Sequence, residues 1–464
     1  MKQLNKIWSN LAIAIVLLLV LFLYSCRITD SYKRPTGFTD AKLYRDADTS
    51  DTINIATIPW KKMFADTVLQ HLIQEGINNN LDLKIALARI EQSQANLRQS
   101  KAAFYPTLDI TAAGPIVNTE KIVNASTLFE LSGSSSWEAD IWGKLRSSKR
   151  AALAAFLQSE AYKKAVQTQL VSDIAMNYTT LLALDAQLQV TLKTIDNRSL
   201  DVEIMKKLKE SDVVTGAAVV QSEANRYSVE VTIPDLKQNI RITENALSIL
   251  LGRNPGSIIR DSLNNQQVWT ALKTGIPVQL LINRPDVMEA EYQMRYYYEL
   301  TNVAKSYFFP SLTITAQGGW ANGTIPQLFS ASSLFGNIIA GLTQPVFNHG
   351  LNKQRLRITQ AQREESLLQF KKTLLNAGQE VSNSLFAFQA ATDKMKIREL
   401  QISFLQKSVE YTKELLKYSA NTNYTDVLTS EQSLLAAELN IVSDKVQQLQ
   451  AVISLYRSLG GGWK

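Results

Sequence analysis

The chain of 464 residues has one cysteine, Cys26, and two histidines, His71 and His349. That count rules out a disulfide framework and a Cys/His zinc site. Each histidine stands alone in a polar setting, without the neighbours a catalytic base needs. No block of five or six like charges occurs, and a net charge of +7 is modest for this length, so no nucleic-acid partner is expected. There is no Gly-rich phosphate loop, GxSxG or HExxH. Neither an enzyme nor a cofactor is expected. The seven methionines are scattered and make no soft-metal relay. Glycine and proline are missing from whole stretches. Neither occurs from Lys144 to Thr215, and Leu351 to Leu459 has no proline and one glycine, Gly378.

The longest uncharged apolar run, Leu11 to Tyr24, follows Lys2 and Lys6. It is shorter than the about 20 residues of a spanning helix and suits a signal-peptide core over residues 1–25. The run ends Leu23-Tyr24-Ser25-Cys26, which resembles a bacterial lipobox. An ordinary signal peptide with an unrelated cysteine is the plainer alternative. The position of the sole cysteine favours lipidation of Cys26. Acyl chains would then anchor the protein to a membrane.

The chain repeats itself. Lys101, Phe104, Pro106, Leu108, Ile110 and Gly114 recur 204 positions later as Lys305, Phe308, Pro310, Leu312, Ile314 and Gly318. Asp82 and Ala86 recur at the same offset as Asp286 and Ala290. Further on the offset drifts to 208, where Ser222-Glu223 meets Ser430-Glu431 and Leu251-Gly252 meets Leu459-Gly460. Two copies of one architecture are expected, over 67–253 and 278–464. An N-terminal segment (26–66) and a linker (254–277) flank them.

Within each copy the pattern predicts a helix over about 67–104 or 278–309, with Asp66 as N-cap of the first. Proline ends it. Strands follow over about 107–117 and 128–142, and over about 312–321 and 335–347. The stretches poor in Gly and Pro then predict helices of unusual length, since an interior Gly costs about 1 kcal/mol and a Pro about 3. Their apolar residues fall at steps of three, four and seven, as in Leu170, Ile174, Tyr178, Leu181 and Leu188. A helix over 147–211 would reach roughly 95 Å at 1.5 Å per residue. Breaks at Val213–Val219 and Ser419–Thr425 predict helical hairpins, each returning in another long helix.

The strands alternate. Phe129, Leu131, Gly133, Ser135, Trp137, Ala139 and Ile141 share one face; Glu130, Ser132, Ser134, Ser136, Glu138 and Asp140 share the other. Leu108, Ile110 and Ala112 alternate with Asp109, Thr111 and Ala113, and Leu312, Ile314, Ala316, Gly318 and Trp320 with Thr313, Thr315, Gln317 and Gly319. A soluble hairpin over a core is one reading. Transmembrane strands, with lipid on one face and water on the other, are the second. Four strands cannot close a barrel, so the second reading requires an oligomer. Spacing does not choose between two chains and three.

Trp60–Phe64, Asn78–Leu97, Leu250–Pro255, Arg284–Glu291 and the terminal Leu459–Trp463 occur in the order of the TolC-like outer-membrane efflux channels, which the mature chain resembles. The lipoprotein branch, with OprM and NodT-type members, is the most similar. The resemblance implies a mainly α protomer of long coiled-coil-like helices with four strands. Three copies would make a homotrimer with a twelve-stranded β-barrel joined to an α-helical barrel in the periplasm. It implies passive export, with outer-membrane lipid, a periplasmic adaptor and an inner-membrane pump of the RND type as partners. It places the periplasmic mouth at 212–220 and 419–431. Where relatives carry leucine and aspartate rings, this chain has Thr425 and Thr429 with Asp426 beside them, and Thr215–Ala218 in the first copy. Asp426 is expected either in a polar gate ring or as a helix N-cap. The competing reading is a lipid-anchored periplasmic coiled-coil adaptor, which would not need two symmetric amphipathic hairpins.

Overall fold

The computed structural model describes residues 28–35, 43–45, 54–114, 128–267, 269, 272–275, 277–418 and 424–464. Cys26 and the signal segment lie outside the described residues, as do positions 115–117 of the first expected strand and residues 419–423 of the second tip. Two compact units form. One contains Met1–Pro35, Arg89–Glu160 and Glu289–Lys371; the other contains Thr36–Ala88, Ala161–Met288 and Lys372–Lys464.

The elements follow the repeat. The first copy holds α1 (Thr67–Asn79), α2 (Leu81–Ala102), β1 (Thr107–Ala113), β2 (Phe129–Ala139), α3 (Lys144–Glu210), α4 (Gly216–Glu230) and α5 (Thr232–Leu250). The second holds α6 (Pro285–Ser306), β3 (Ser311–Asn322), β4 (Leu334–Thr343), α7 (Leu351–Tyr418) and α8 (Tyr424–Ser458). The 67 residues of α3 and 68 of α7 are the long helices that the missing Gly and Pro predict. Asp66 caps α1 as expected, its Oδ1 accepting from the amides of Val68 and Leu69 at 2.8 and 3.2 Å.

Three expectations about the helices need correction. The helix expected over 67–104 breaks at Asn80, which has extended ψ of 133°. Asn80 Oδ1 accepts from Leu83 N at 3.1 Å and so starts α2 as a cap. The helix expected from 278 begins at Pro285, preceded by a single turn at Leu280–Asn283. Proline at the first helical position lacks only an amide that would be unpaired there. The returning arm of the first hairpin is interrupted at Val231, because Pro234 removes an amide and crowds the carbonyl of Glu230 four residues back. The arm without a proline, α8, is continuous. The strands also end earlier than expected, β2 at Ala139 and β4 at Thr343.

The repeat extends to single hydrogen bonds. Asn80 Nδ2 donates to the Leu250 carbonyl at 3.0 Å, and Arg284 Nη1, at the matching break, donates to the Ser458 carbonyl at 2.8 Å. Each bond ties the start of a copy to the last turn of its returning helix. Gly252 (φ 70°) and Gly460 (φ 90°) follow those turns in the left-handed region. A Cβ on Gly252 would lie 2.5 Å from the Asn79 carbonyl oxygen, and one on Gly460 2.3 Å from that of Asn283. Only glycine fits either position.

The four strands form one antiparallel sheet in the order β1-β2-β3-β4. Unpaired edges are left on β1 and β4 among the described residues.

Candidate functional site

Register decides what each face of the sheet carries, because residues paired across strands point to the same side. Leu108 pairs with Ser135, Ser135 with Ala316 and Ala316 with Ile338. Trp137 pairs with Ile314 and Ile314 with Ala340. Leu131, Trp320 and Leu334 form another rung. The apolar positions of all four strands therefore meet on one face, where Leu108, Ile110 and Ile338 are each more than three-quarters exposed. Tryptophans bound this face, Trp137 at one end and Trp320 at the other. Six residues of β2 separate their rungs, roughly 20 Å at 3.3 Å per residue. That is close to the apolar band of outer-membrane strands.

The opposite face carries Asp109, Ser134, Gln317 and Asn337 in one rung and Ser136 and Thr315 in the next. Ile339 and Phe335 break its polarity in β4. Gln317 Nε2 donates to Glu130 Oε1 at 3.1 Å, and Lys144 Nζ donates to Glu138 at 2.9 Å. Indole groups tie the strands to the helix ends. Trp137 Nε1 donates to the Phe104 carbonyl at 2.9 Å and Trp142 Nε1 to that of Pro310 at 2.6 Å. These are the helix-to-strand junctions that recur in the sequence. A glycine rung, Gly133–Gly318–Gly336, crosses the apolar face, and on the other face a Cβ at Gly319 would lie 2.2 Å from the Leu131 carbonyl oxygen. The chain needs glycine there because β2 and β3 approach closely.

The second candidate region is the hairpin tip. Helix α3 ends at Glu210, Asp212 takes φ of 55°, and α4 begins after Thr215, whose side chain makes no capping bond. The core of the tip is Met205, Leu416, Tyr424 and Val427, with Leu208, Val214, Ala218 and Val219 packed against it. The structure thus joins Ala218 to the start of α8 through this apolar cluster. Thr215, Thr425, Asp426 and Thr429 are exposed and lie outside it. Asp426 is the third residue of α8, so it is not the N-cap; its carboxylate favours the positive end of the helix dipole. Thr429 Oγ1 donates back to the Thr425 carbonyl at 2.8 Å.

Behind the tip lies a charged cluster that the sequence reading missed. Lys413 Nζ on α7 lies 2.8 Å from Asp201 on α3 and 2.6 Å from Glu431 on α8. The first copy has a counterpart, Lys206–Glu223 at 2.8 Å. The two glutamates occupy matching positions and titrate in opposite directions. Glu223, hydrogen-bonded to Lys206 in solvent, has its pKa lowered. Glu431 is pushed up to about 7, first by burial and then by its hydrogen bond to Asp201. Burial works against the charge of Lys413, but the bonds to both carboxylates outweigh it and its pKa is raised. The recurring Ser-Glu pair was visible in the sequence; the Asp201 partner, more than 200 residues away in the chain, was not.

Among the described residues no helix is long and apolar enough to cross a membrane, and no group of three or more His, Cys, Asp or Glu could hold a metal ion.

The family model described as outer membrane efflux protein matches residues 72–253 and 276–461. The chain is 28% identical over 457 residues to the cation efflux system protein CusC of Escherichia coli O6:H1, covering 96% of this chain and 97% of that protein. It is 26% identical over 413 residues to the probable outer membrane lipoprotein SilC of Salmonella typhimurium, covering 87% and 88%. The crystal structure of CusC, described with the folding and transmembrane channel formation of that protein, superposes with a TM-score of 0.83 at 27% identity, over 94% of this chain and 100% of that one. CusC is a cation efflux system protein and SilC an outer membrane lipoprotein, and this chain is the outer-membrane component of an efflux system. Both copies of the repeat match, and the chain belongs to the outer membrane efflux protein family.

Proposed function

We propose that three copies of the chain close a twelve-stranded barrel, and that this homotrimer receives cargo from a periplasmic adaptor and an inner-membrane pump of the RND type. The open sheet carries the reading. Among the described residues its β1 and β4 edges are unpaired, while its apolar face suits lipid. An open edge in hydrocarbon would leave each backbone group unsatisfied at several kcal/mol. Closure by further copies removes both edges. Residues 1–25 are removed on export, Cys26 is acylated, and 254–277 contributes to an equatorial collar. Cysteines placed at Ile110 in β1 and Ile338 in β4, with Cys26 retained, are expected to cross-link only between chains. The ladder on denaturing gels should end at three. Cross-links within one chain, or a ladder ending at two, would overturn the trimer.

The exposed face of the tip then forms the periplasmic mouth, with Asp426, Thr425 and Thr429 from α8 and Thr215 beside them, while Ala218 anchors the tip core. A carboxylate ring at a constriction favours cations. Asp426→Ala is expected to reduce cation preference in planar-bilayer recordings and to raise antibiotic leakage in cells. Unchanged conductance, selectivity and leakage would remove Asp426 from the gate.

A further inference from the structure

Arg295 on α6 has no ion-pair partner among the described residues, and its Nε is buried without a hydrogen bond. It lines a cavity of about 370 Å3 together with Tyr32, Trp142, Arg146, Arg150 and Glu299. The nearby acids are already engaged. Glu299 accepts from Arg150 Nε at 2.8 Å, Asp140 from Arg146 Nε at 2.9 Å, and Asp30 lies 3.6 Å from Lys305. The guanidinium of Arg295 instead lies 5.9 Å from the ring centre of Tyr32. Three guanidiniums around one concavity, one of them uncommitted, suit an oxyanion of phosphate geometry, which guanidinium forks bind bidentately.

The surroundings identify which phosphate. The cavity wall includes Ile141 and Trp142, which follow β2 at the Trp137 end of the apolar face. Trp142 packs on Phe309 with ring centres 5.1 Å apart. The same unit stacks further cations on aromatic rings. Lys144 and Arg355 lie 5.2 and 4.2 Å from the Tyr307 ring, Lys149 lies 5.8 Å from Phe104, and Arg363 lies 4.6 Å from Tyr298. Aromatic rings mixed with Lys and Arg at the end of an apolar band are the composition of a headgroup layer.

We propose that this cavity binds the phosphate of a glycerophospholipid in the leaflet at the helical end of the sheet. Arg295 is the principal donor, Arg146 and Arg150 flank it, and Trp142 and Tyr32 lie against the glycerol region. The site rests on reading the apolar sheet face as lipid-facing. It would hold the barrel rim at a fixed depth.

Native mass spectrometry of the full chain in detergent, titrated with dioleoylphosphatidylglycerol, tests this. Wild type is expected to retain lipid adducts, and Arg295→Met to weaken them roughly tenfold, the loss of one charge-assisted bidentate contact. Inorganic phosphate should neither bind detectably nor displace the lipid. Equal lipid retention by Arg295→Met overturns the site, and so does displacement by inorganic phosphate, which would make it a site for a free anion. If Arg295→Met does not assemble, Arg146→Met, at a more exposed side chain, gives the same reading with a smaller loss. Conductance of the same preparations reports the channel separately, so loss of the lipid site and failure of the channel reading are distinguishable.

Discussion

Ile338→Arg is expected to abolish accumulation in the outer membrane, whereas Asn337→Arg, one residue earlier, leaves it intact. Ile338 is 78% exposed on the apolar face and pairs with Ala316. Asn337 pairs with Gln317 on the polar face. Ile338 stands between the Trp137 and Trp320 rungs, well inside the apolar band. An arginine there meets hydrocarbon at about 2–4 kcal/mol per chain. An arginine at 337 meets water. If three chains share one barrel, three such charges must enter lipid together. Assembled protein in the outer-membrane fraction should fall at least roughly tenfold for Ile338→Arg, since 1.4 kcal/mol is already a factor of ten. Both chains should be made in equal amounts, because translation and export precede insertion. The reverse outcome, with Asn337→Arg lost and Ile338→Arg retained, would mean that the apolar face is turned inward.

This face could be read from the sequence because its signal is local. Alternation in β2 fixes two faces without reference to any partner, and Pro106 and Pro310 mark where each helix ends. The register then adds something the sequence does not hold, namely that the apolar sides of all four strands coincide. β4 shows the limit: Ile338 and Ile339 are adjacent, so alternation alone could not say which faces lipid. The helix breaks were less legible. Asn80 ends one helix and begins another through its own side chain, with neither Gly nor Pro as a marker. Pro234 was a marker, but it sits in a stretch whose apolar spacing reads as one helix. At the tip, Thr215, Ala218, Thr425, Asp426 and Thr429 were singled out by the resemblance to the efflux channels, which places the periplasmic mouth there. The groups behind them required three-dimensional neighbours. Asp201 belongs to the first copy while Lys413 and Glu431 belong to the second, and no periodicity connects residues so far apart in the chain.

That cluster supplies the second large effect. Two carboxylates and one ammonium are packed together, with Asp201 and Glu431 nearly buried. Burial first, and then the hydrogen bond to Asp201, push the Glu431 carboxyl up to about 7 from the usual 4.5. A group that binds its proton more tightly in the folded chain contributes stability that is complete below the unfolded pKa. The contribution is lost as the pH rises through the folded value. The packing of α3, α7 and α8 behind the tip is therefore expected to weaken between about pH 5 and pH 8. Glu431→Gln keeps the shape and removes the titration, so its melting temperature should be flat across that window while the wild type falls. Lys413→Met leaves Asp201 and Glu431 facing each other without a cation. Removing one partner from a buried ionic cluster costs about 3–5 kcal/mol, and the lower end applies here because a third of the Lys413 side chain remains in water. Melting temperature should drop in Lys413→Met, and the drop should be larger at pH 8 than at pH 5.5, where the proton held by Glu431 relieves the repulsion. The exposed pair Lys206–Glu223 is the internal control, since water screens a surface ion pair and Lys206→Met should change little at either pH. A Glu431→Gln chain with the wild-type pH slope would show that the titration belongs to other groups. Equal losses for Lys413→Met and Lys206→Met would show that Asp201 does not join the two copies of the repeat behind the tip.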